Sequence, residues 1–158
     1  MGWVTAAQTL LDAAVDAGPP VAREFIAPGP RFAHDCSLIA VHVADAGTEP
    51  PGGLQLLSGD RGCVLVPYTV LMVTFVLDCV PSGEDVGGEW QPPAAADVTA
   101  WSATYLSGAE AIWQAVMDAA AGPLAEECLE ATVGDVEFGG PLGGVAWSEI
   151  PVRVQWAA

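Results

Sequence analysis

The stretch CVLVPYTVLMVTFVLDCV, at positions 63–80, constrains this chain more than any other. A membrane-spanning helix needs roughly 20 apolar residues. The run at 64–77 supplies fourteen, with Arg61 before it and Asp78 after it. Valine dominates, joined by Tyr68, Thr69, Thr74 and Phe75, and these are residue types that favour strands. The flanks SGDRG and PSGED carry turn chemistry. The stretch therefore reads as one long strand of a soluble protein, or as two strands joined by a bend near Pro67. Val64, Val66, Tyr68, Val70, Met72, Thr74 and Val76 share one face. Leu65, Thr69, Leu71, Val73, Phe75 and Leu77 share the other. Both faces are apolar, so both need cover. Helices supply one cover. The second comes either from a further layer of the same subunit or from a neighbouring subunit.

The rest of the chain falls into place around this strand. Residues 4–17 predict a helix: Thr5 and Gln8 match a T-x-x-Q capping box, Val4, Ala7, Leu11, Ala14 and Val15 line one face, and GPP at 18–20 stops it. VAREFIAPGPRFAHDC reads as a connector. SLIAVHVADAG reads as a strand, with Ile39, Val41 and Val43 on one side and Leu38, Ala40 and His42 on the other. TEPPGGLQLLSGDRG reads as a long loop, unusually rich in leucine at Leu54, Leu56 and Leu57; loops of that length are commonly functional. PSGEDVGGEWQPPAAADV reads as a second connector. Residues 99–122 predict the main helix. Its apolar face is Tyr105, Leu106, Ala109, Ile112, Trp113, Val116, Met117 and Ala120; Glu110, Gln114 and Asp118 lie opposite, and Gly122-Pro123 ends it. LEATVGDVEFG reads as a strand and GPLGG as a turn. VAWSEIPVRVQW reads as a final strand, with Ile150, Val152, Val154 and Trp156 on one side and Glu149, Arg153 and Gln155 on the other. The order predicts one domain over 1–158 of the α+β class, with a mostly antiparallel sheet and two main helices on one face.

Charge excludes some functions. The chain has 20 acidic residues against 4 arginines and no lysine, for a net charge of −16. A protein that grips a nucleic-acid backbone needs a basic surface to displace counterions, and anionic lipid makes the same demand. Neither partner fits. One-signed charge serves solubility, because copies repel one another.

Motifs for chemistry are sparse. In HDC, His34-Asp35-Cys36, neighbouring side chains of an extended segment point to opposite sides, so the triplet does not read as a catalytic group. His34, Cys36 and His42 lack a paired metal-ligand motif. Glu126, Glu127 and Glu130 read as a solvated helix end. GGPLGG at 139–144 has no Gly-Lys-Ser/Thr and reads as a hairpin turn rather than a phosphate loop. The expectation is a protein without catalysis, metal or cofactor. The cysteines are Cys36, Cys63, Cys79 and Cys128, and four cysteines allow three pairings. The opening residues carry Asp12 and Asp16 and no basic region, so they do not read as a secretory signal. On that reading disulfides are not expected, and the cysteines are small buried hydrophobes. Among the tryptophans, Trp113 reads as core. Trp90, in a Pro/Gly connector, reads either as an interface residue or as local packing.

An N-terminal helix, PGPRFAHDCSLIAVHV, a long strand ending LDCVP, a helix, and then a cysteine followed by ATVGDVEFGGPLGGVAWSEIPVRVQW resemble the neck proteins of long-tailed actinobacterial phages. The layout looks most like the tail terminator family and covers nearly the whole chain as topology. The resemblance implies a virion subunit, assembled in the host cytoplasm, of which six copies form a ring. That ring would cap the tail tube, stop its polymerisation and join it to the head–tail connector or head-closure protein. Genomic DNA would pass through the lumen without specific binding. Leu54, Leu56, Leu57 and Trp90 are then candidate assembly contacts, and Glu84, Asp85 and Glu89 candidate lumen acids, repelling phosphate by like charge. Competing readings are a head-closure protein, the tube subunit, a small intracellular enzyme, or an acidic mimic of nucleic acid.

Overall fold

The computed structural model describes residues 2–29, 36–49, 66–142 and 144–156. The elements run α1 (Trp3–Ala17), β1 (Arg23–Ala27), β2 (Leu38–Glu49), β3 (Val66–Val76), β4 (Glu84–Val86), β5 (Glu89–Gln91), α2 (Ala95–Ala119), β6 (Glu130–Val133), β7 (Glu137–Leu142) and β8 (Val145–Gln155). The fold is α+β. Its main sheet has the order β1-β2-β3-β8-β6, with β7 also on β8; β4 and β5 form a separate hairpin. Among the described strands of the main sheet, β1–β2 is the one parallel pair.

The apolar run is the sheet's centre. In β3, the alternate residues Leu71, Val73 and Phe75 point toward the helices and are fully or almost fully buried. Register aligns them with Val152, Ile150 and Ser148 of β8, and with Val43, Val41 and Ile39 of β2. Ala6, Leu10 and Ala14 of α1 and Ala109, Ile112 and Val116 of α2 close over this face. Small residues at the contact let both helices lie low on the sheet. Each large side chain removed from water here contributes roughly 1.5–3 kcal/mol before entropy is charged against it. Phe75, Tyr105 and Trp101 stack in series at 5.7 and 5.1 Å between centroids, and Phe138 meets Tyr105 edge-on at 6.0 Å. No helix of the described residues is long and apolar enough to cross a membrane.

Among the described residues, no helix lies on the opposite face. Leu38, Ala40 and Val76 form a small second cluster there with Phe25, Val145 and Trp147. Farther along, Tyr68, Val70 and Met72 are partly exposed. The double-sided character of the run is thus asymmetric: one face is sealed, the other only in part.

Several expectations need correction. The capping box does not form: Gly2 is the N-cap, and no side chain caps the helix. Thr5 lies inside the first turn with its N–H on the Gly2 carbonyl at 3.1 Å, while Gln8 bonds forward to Asp12 at 2.7 Å. The first connector contains β1, a short edge strand that exists because β2 lies beside it. The second connector contains the β4–β5 hairpin. LEATVGDVEFG yields two strands, β6 and β7, both on β8. Helix α2 starts at Ala95, and Gly122-Pro123 lies within a π-helical turn, Ala120–Leu124, rather than ending the helix outright. Leu106 and Met117 are exposed despite their place on the predicted apolar face, because the buried stripe runs through Gly108 and Ala109.

The largest correction is covalent. Cys36 and Cys79 form a disulfide, with Cα atoms 5.1 Å apart. Register explains it. Leu38 pairs with Val76, and Ser37 N–H donates to the Leu77 carbonyl at 2.8 Å, so the two cysteines meet just beyond the last rung. Cys128 is a free thiol, half-buried, donating to the Leu124 carbonyl at 2.8 Å. Burial pushes it above its ordinary value, with smaller lowering from backbone hydrogen bonds. Cys63 to Leu65 lie outside the described residues.

Candidate functional site

Two surfaces stand out, a protruding hairpin and the open face of the sheet. The hairpin arises from local sequence. Val86-Gly87-Gly88-Glu89 places two glycines between the strands, with φ of 67° and 88°. Two left-handed residues in succession make the two-residue turn that matches strand twist, and glycine adopts them without steric cost. Asp85 Oδ1 accepts from the Gly88 N–H at 2.8 Å and closes the turn. Pairing sets Glu84 opposite Gln91, Asp85 opposite Trp90, and Val86 opposite Glu89. Alternation therefore puts Asp85 and Trp90 on one face, and Glu84, Val86, Glu89 and Gln91 on the other.

The hairpin stands on a fixed base. Beyond β3, the Leu77 carbonyl is held by Ser37, Cys79 by its disulfide, and the Asp78 carbonyl by Trp101 Nε1–H at 2.9 Å. Val80 N–H donates to the Gly144 carbonyl at 2.9 Å. Between hairpin and α2 lies an open cleft of about 410 Å³, lined by Pro81, Glu84, Pro92, Pro93 and Asp97 among others. Four ties and three prolines fix the direction in which the hairpin leaves the body.

Trp90 is 66% exposed and Val86 49%. The Trp90 ring lies on the backbone of Gly83, where a Cβ would collide with it. Trp90 therefore has both local packing and an open surface. Glu84, Asp85 and Glu89 are all exposed on this hairpin. They do not form one cluster: Asp85 is engaged by its own turn on the Trp90 face, whereas Glu84 and Glu89 share the other face. Among the described residues none engages either of those two carboxylates. Leu54, Leu56 and Leu57 lie outside the described residues, as do His34 and Asp35. Cys36, the third member of that triplet, is in the disulfide and carries no thiol.

On the open sheet face, Arg153 of β8 stacks on the Tyr68 ring at 4.5 Å, and Tyr68 donates to Asp45 Oδ2 at 3.0 Å. Arg153 pairs with Val70 in register. Sequence reasoning placed Arg153 on the polar side of the last strand but gave it no role; its stacking needs the β3–β8 register, which the sequence does not print. His42 is buried on β2, and Glu126, Glu127 and Glu130 are exposed. Among the described residues, no group of three or more His, Cys, Asp or Glu is placed to hold a metal ion.

Beneath the helix-covered face, Tyr105 and Ser148 bring two hydroxyls together. Burial pushes Tyr105 up to about 12, against a smaller lowering by Ser148. Both oxygens are sealed from solvent without a hydrogen bond of ordinary geometry. They lie within the core, not in a cleft, so their weight falls on stability rather than on chemistry.

No protein-family model and no curated protein matches this chain.

Proposed function

We propose that this protein is a ring-forming structural subunit of a phage neck, a tail terminator that caps the tail tube and joins it to the head–tail connector. The sequence layout supplies the family likeness. The observation that carries the reading physically is the pairing of an exposed hairpin on a tied base with a sheet face that no helix of the described residues covers. A subunit with a projecting element and an unfinished face is suited to repeating contacts with copies of itself. The reading assigns the protein no catalysis. Its partners would be further copies, the tail tube protein and the head-closure or connector protein, and its place would be the top of the tail in the virion.

The acidic balance supports the same reading. A lumen that DNA slides through must not hold phosphates, and 20 acids against 4 basic residues provide a repelling surface. Glu84, Asp85 and Glu89 are the candidates for that surface. On the hairpin, Glu84 and Glu89 have open carboxylates and Asp85 does not.

The disulfide bears on where the protein functions. Such bonds persist in oxidising surroundings, and a particle released from its host enters them. The deciding experiment is mass photometry with negative-stain imaging of the purified protein, alone and with purified tail tubes. A discrete ring, or a monomer that caps one end of a tube, supports the terminator. Extended tubes make it the tube subunit. A monomer indifferent to tubes removes the neck assignment.

A further inference from the structure

We propose that the Cys36–Cys79 disulfide is a redox-sensitive latch. It holds Ser37 in a left-handed backbone conformation and, through Ser37, seats the edge strand β1. Reduction loosens β1 while the rest of the sheet stands. The inference goes beyond the neck reading and does not depend on it.

Ser37 is the outlier that points here. Its φ is 62°, and among the described residues it is the one non-glycine residue with a positive φ. A Cβ disfavours that conformation, and a serine keeps it where its surroundings over-determine it. Both sides of Ser37 are tied. Its N–H donates to the Leu77 carbonyl at 2.8 Å. Its carbonyl accepts from the Ala22 N–H at 3.1 Å and from the Arg23 N–H at 3.2 Å, and its Oγ accepts from the Ala22 N–H at 2.9 Å. One residue before it, Cys36 is bonded to Cys79; one residue after it, Leu38 begins the β2 ladder.

The covalent side of this frame is anchored. Cys79 lies between β3 and the β4–β5 arm, and the carbonyl of Asp78 just before it accepts from Trp101 of α2. A line of bonds thus runs from α2 through Asp78, Cys79, Cys36 and Ser37 to Ala22 and Arg23, where β1 starts. Breaking the S–S bond removes the covalent link of that line. Ser37 can then fall back to negative φ. That rotation turns the peptide groups beside it, and its bonds to Leu77, Ala22 and Arg23 depend on their present directions.

β1 feels the loss most. It has five residues, lies at the edge of the sheet and pairs with β2 in parallel. Parallel pairing is slightly weaker per residue, and elements with little support open at the lowest cost. Phe25 and Ile26 still pack on the two apolar clusters, so the release is a local opening and not an unfolding. β3, by contrast, is paired on both sides, with β2 and β8.

The bond is open to exchange, since Cys79 is exposed and Cys36 half-buried. A thiolate of a small dithiol attacks Cys79 Sγ, the S–S bond breaks, and Cys36 leaves as a thiolate that takes up a proton. The second thiol of the reductant then displaces Cys79 and closes the reductant's own disulfide. Two electrons and two protons pass to the protein. The reverse exchange with a small disulfide oxidises the two thiols and seats β1 again.

Hydrogen exchange read by mass spectrometry on the full chain, oxidised and after dithiothreitol, tests the latch, with circular dichroism to confirm that the reduced protein is folded. Amides of 23–27 are expected to exchange about tenfold faster after reduction, through an opening insensitive to low urea, the mark of a local event. Cys36→Ser with Cys79→Ser should match the reduced protein without any reductant. Ser37→Gly accepts a φ of 62° freely, so in the reduced state it should bring β1 back to within about threefold of the oxidised wild type. Unchanged exchange in β1 overturns the latch. So does an acceleration of the same ratio and urea dependence in β1, β3 and β8, which makes the bond a plain crosslink. A Ser37→Gly variant as redox-sensitive as wild type, or a reduced protein that unfolds outright, overturns it as well.

Discussion

Gly108 of α2 lies against Pro19 and Phe75 with no room for a side chain: a Cβ there would stand 2.9 Å from Pro19 Cδ and 3.2 Å from Phe75 Cζ. Glycine inside a helix costs up to about 1 kcal/mol relative to alanine. Here the close approach offsets that cost, since the proline ring that follows α1 has little freedom to retreat.

Gly108→Ala therefore tests packing against propensity. The helix gains about 1 kcal/mol, while overpacking a core contact loses about 1–3 kcal/mol. The expected net is a loss of roughly 1 kcal/mol and a Tm lowered by about 2–4 °C. Thermal unfolding followed by circular dichroism gives the answer, and a raised Tm contradicts the packing.

The Cys36–Cys79 bond closes a loop with a sequence separation of 43. A bridge of that span restricts the unfolded chain and is worth about 2–4 kcal/mol. Urea unfolding with and without reductant should show this difference, and the double substitution Cys36→Ser, Cys79→Ser should reproduce the reduced value. Cys128→Ser lacks the loop term and should cost no more than about 1 kcal/mol.

Tyr105 predicts a loss of stability in alkali. Its folded value is about 12 against the ordinary 10.0. The native state thus holds the proton more tightly than the unfolded state does. The stabilisation is fully present below 10.0 and is lost as pH rises toward about 12. Urea midpoints across that window should fall with pH, and Tyr105→Phe should reduce the slope. A slope unchanged by the substitution would place the alkaline loss elsewhere.

Trp90 separates folding from assembly. Its ring is mostly exposed, so Trp90→Ala should leave the urea midpoint within about 0.5 kcal/mol of wild type. If the exposed Trp90 ring is an assembly contact, the same variant should weaken self-association or tube capping. Gly83→Ala should disturb the arm further, because the added methyl collides with the Trp90 ring and the Gln91 carbonyl.

The sequence made some elements legible and hid others for physical reasons. The run at 64–77 announced a central strand because valine and alternating faces are local signals, and β3 occupies Val66–Val76 within it. The terminal strand was equally plain. The strand β1 was not, since REFIA is five residues of unremarkable pattern that become a strand only beside β2. The arm was missed although Val-Gly-Gly-Glu carries a two-residue turn signal; the surrounding prolines masked it. The match at Thr5 and Gln8 misled because a four-residue motif does not fix where a helix starts. The cysteine pairing required the β2–β3 register, with Leu38 against Val76, and no local pattern holds that information. For the candidate site, Trp90 and the three acids were visible as composition. Their division between two hairpin faces, and the platform under Arg153, follow from pairing alone.

The disulfide has a topological meaning as well. It joins the chain to itself between 36 and 79, so β2, β3 and the segment connecting them belong to one covalent circle. A single peptide-bond cut anywhere in that circle opens it without dividing the molecule, and trypsin acting at Arg61 would leave two fragments that migrate as one until a thiol is added. Backbone continuity and physical integrity are thereby uncoupled over this region, so a molecule nicked there keeps both of its central strands.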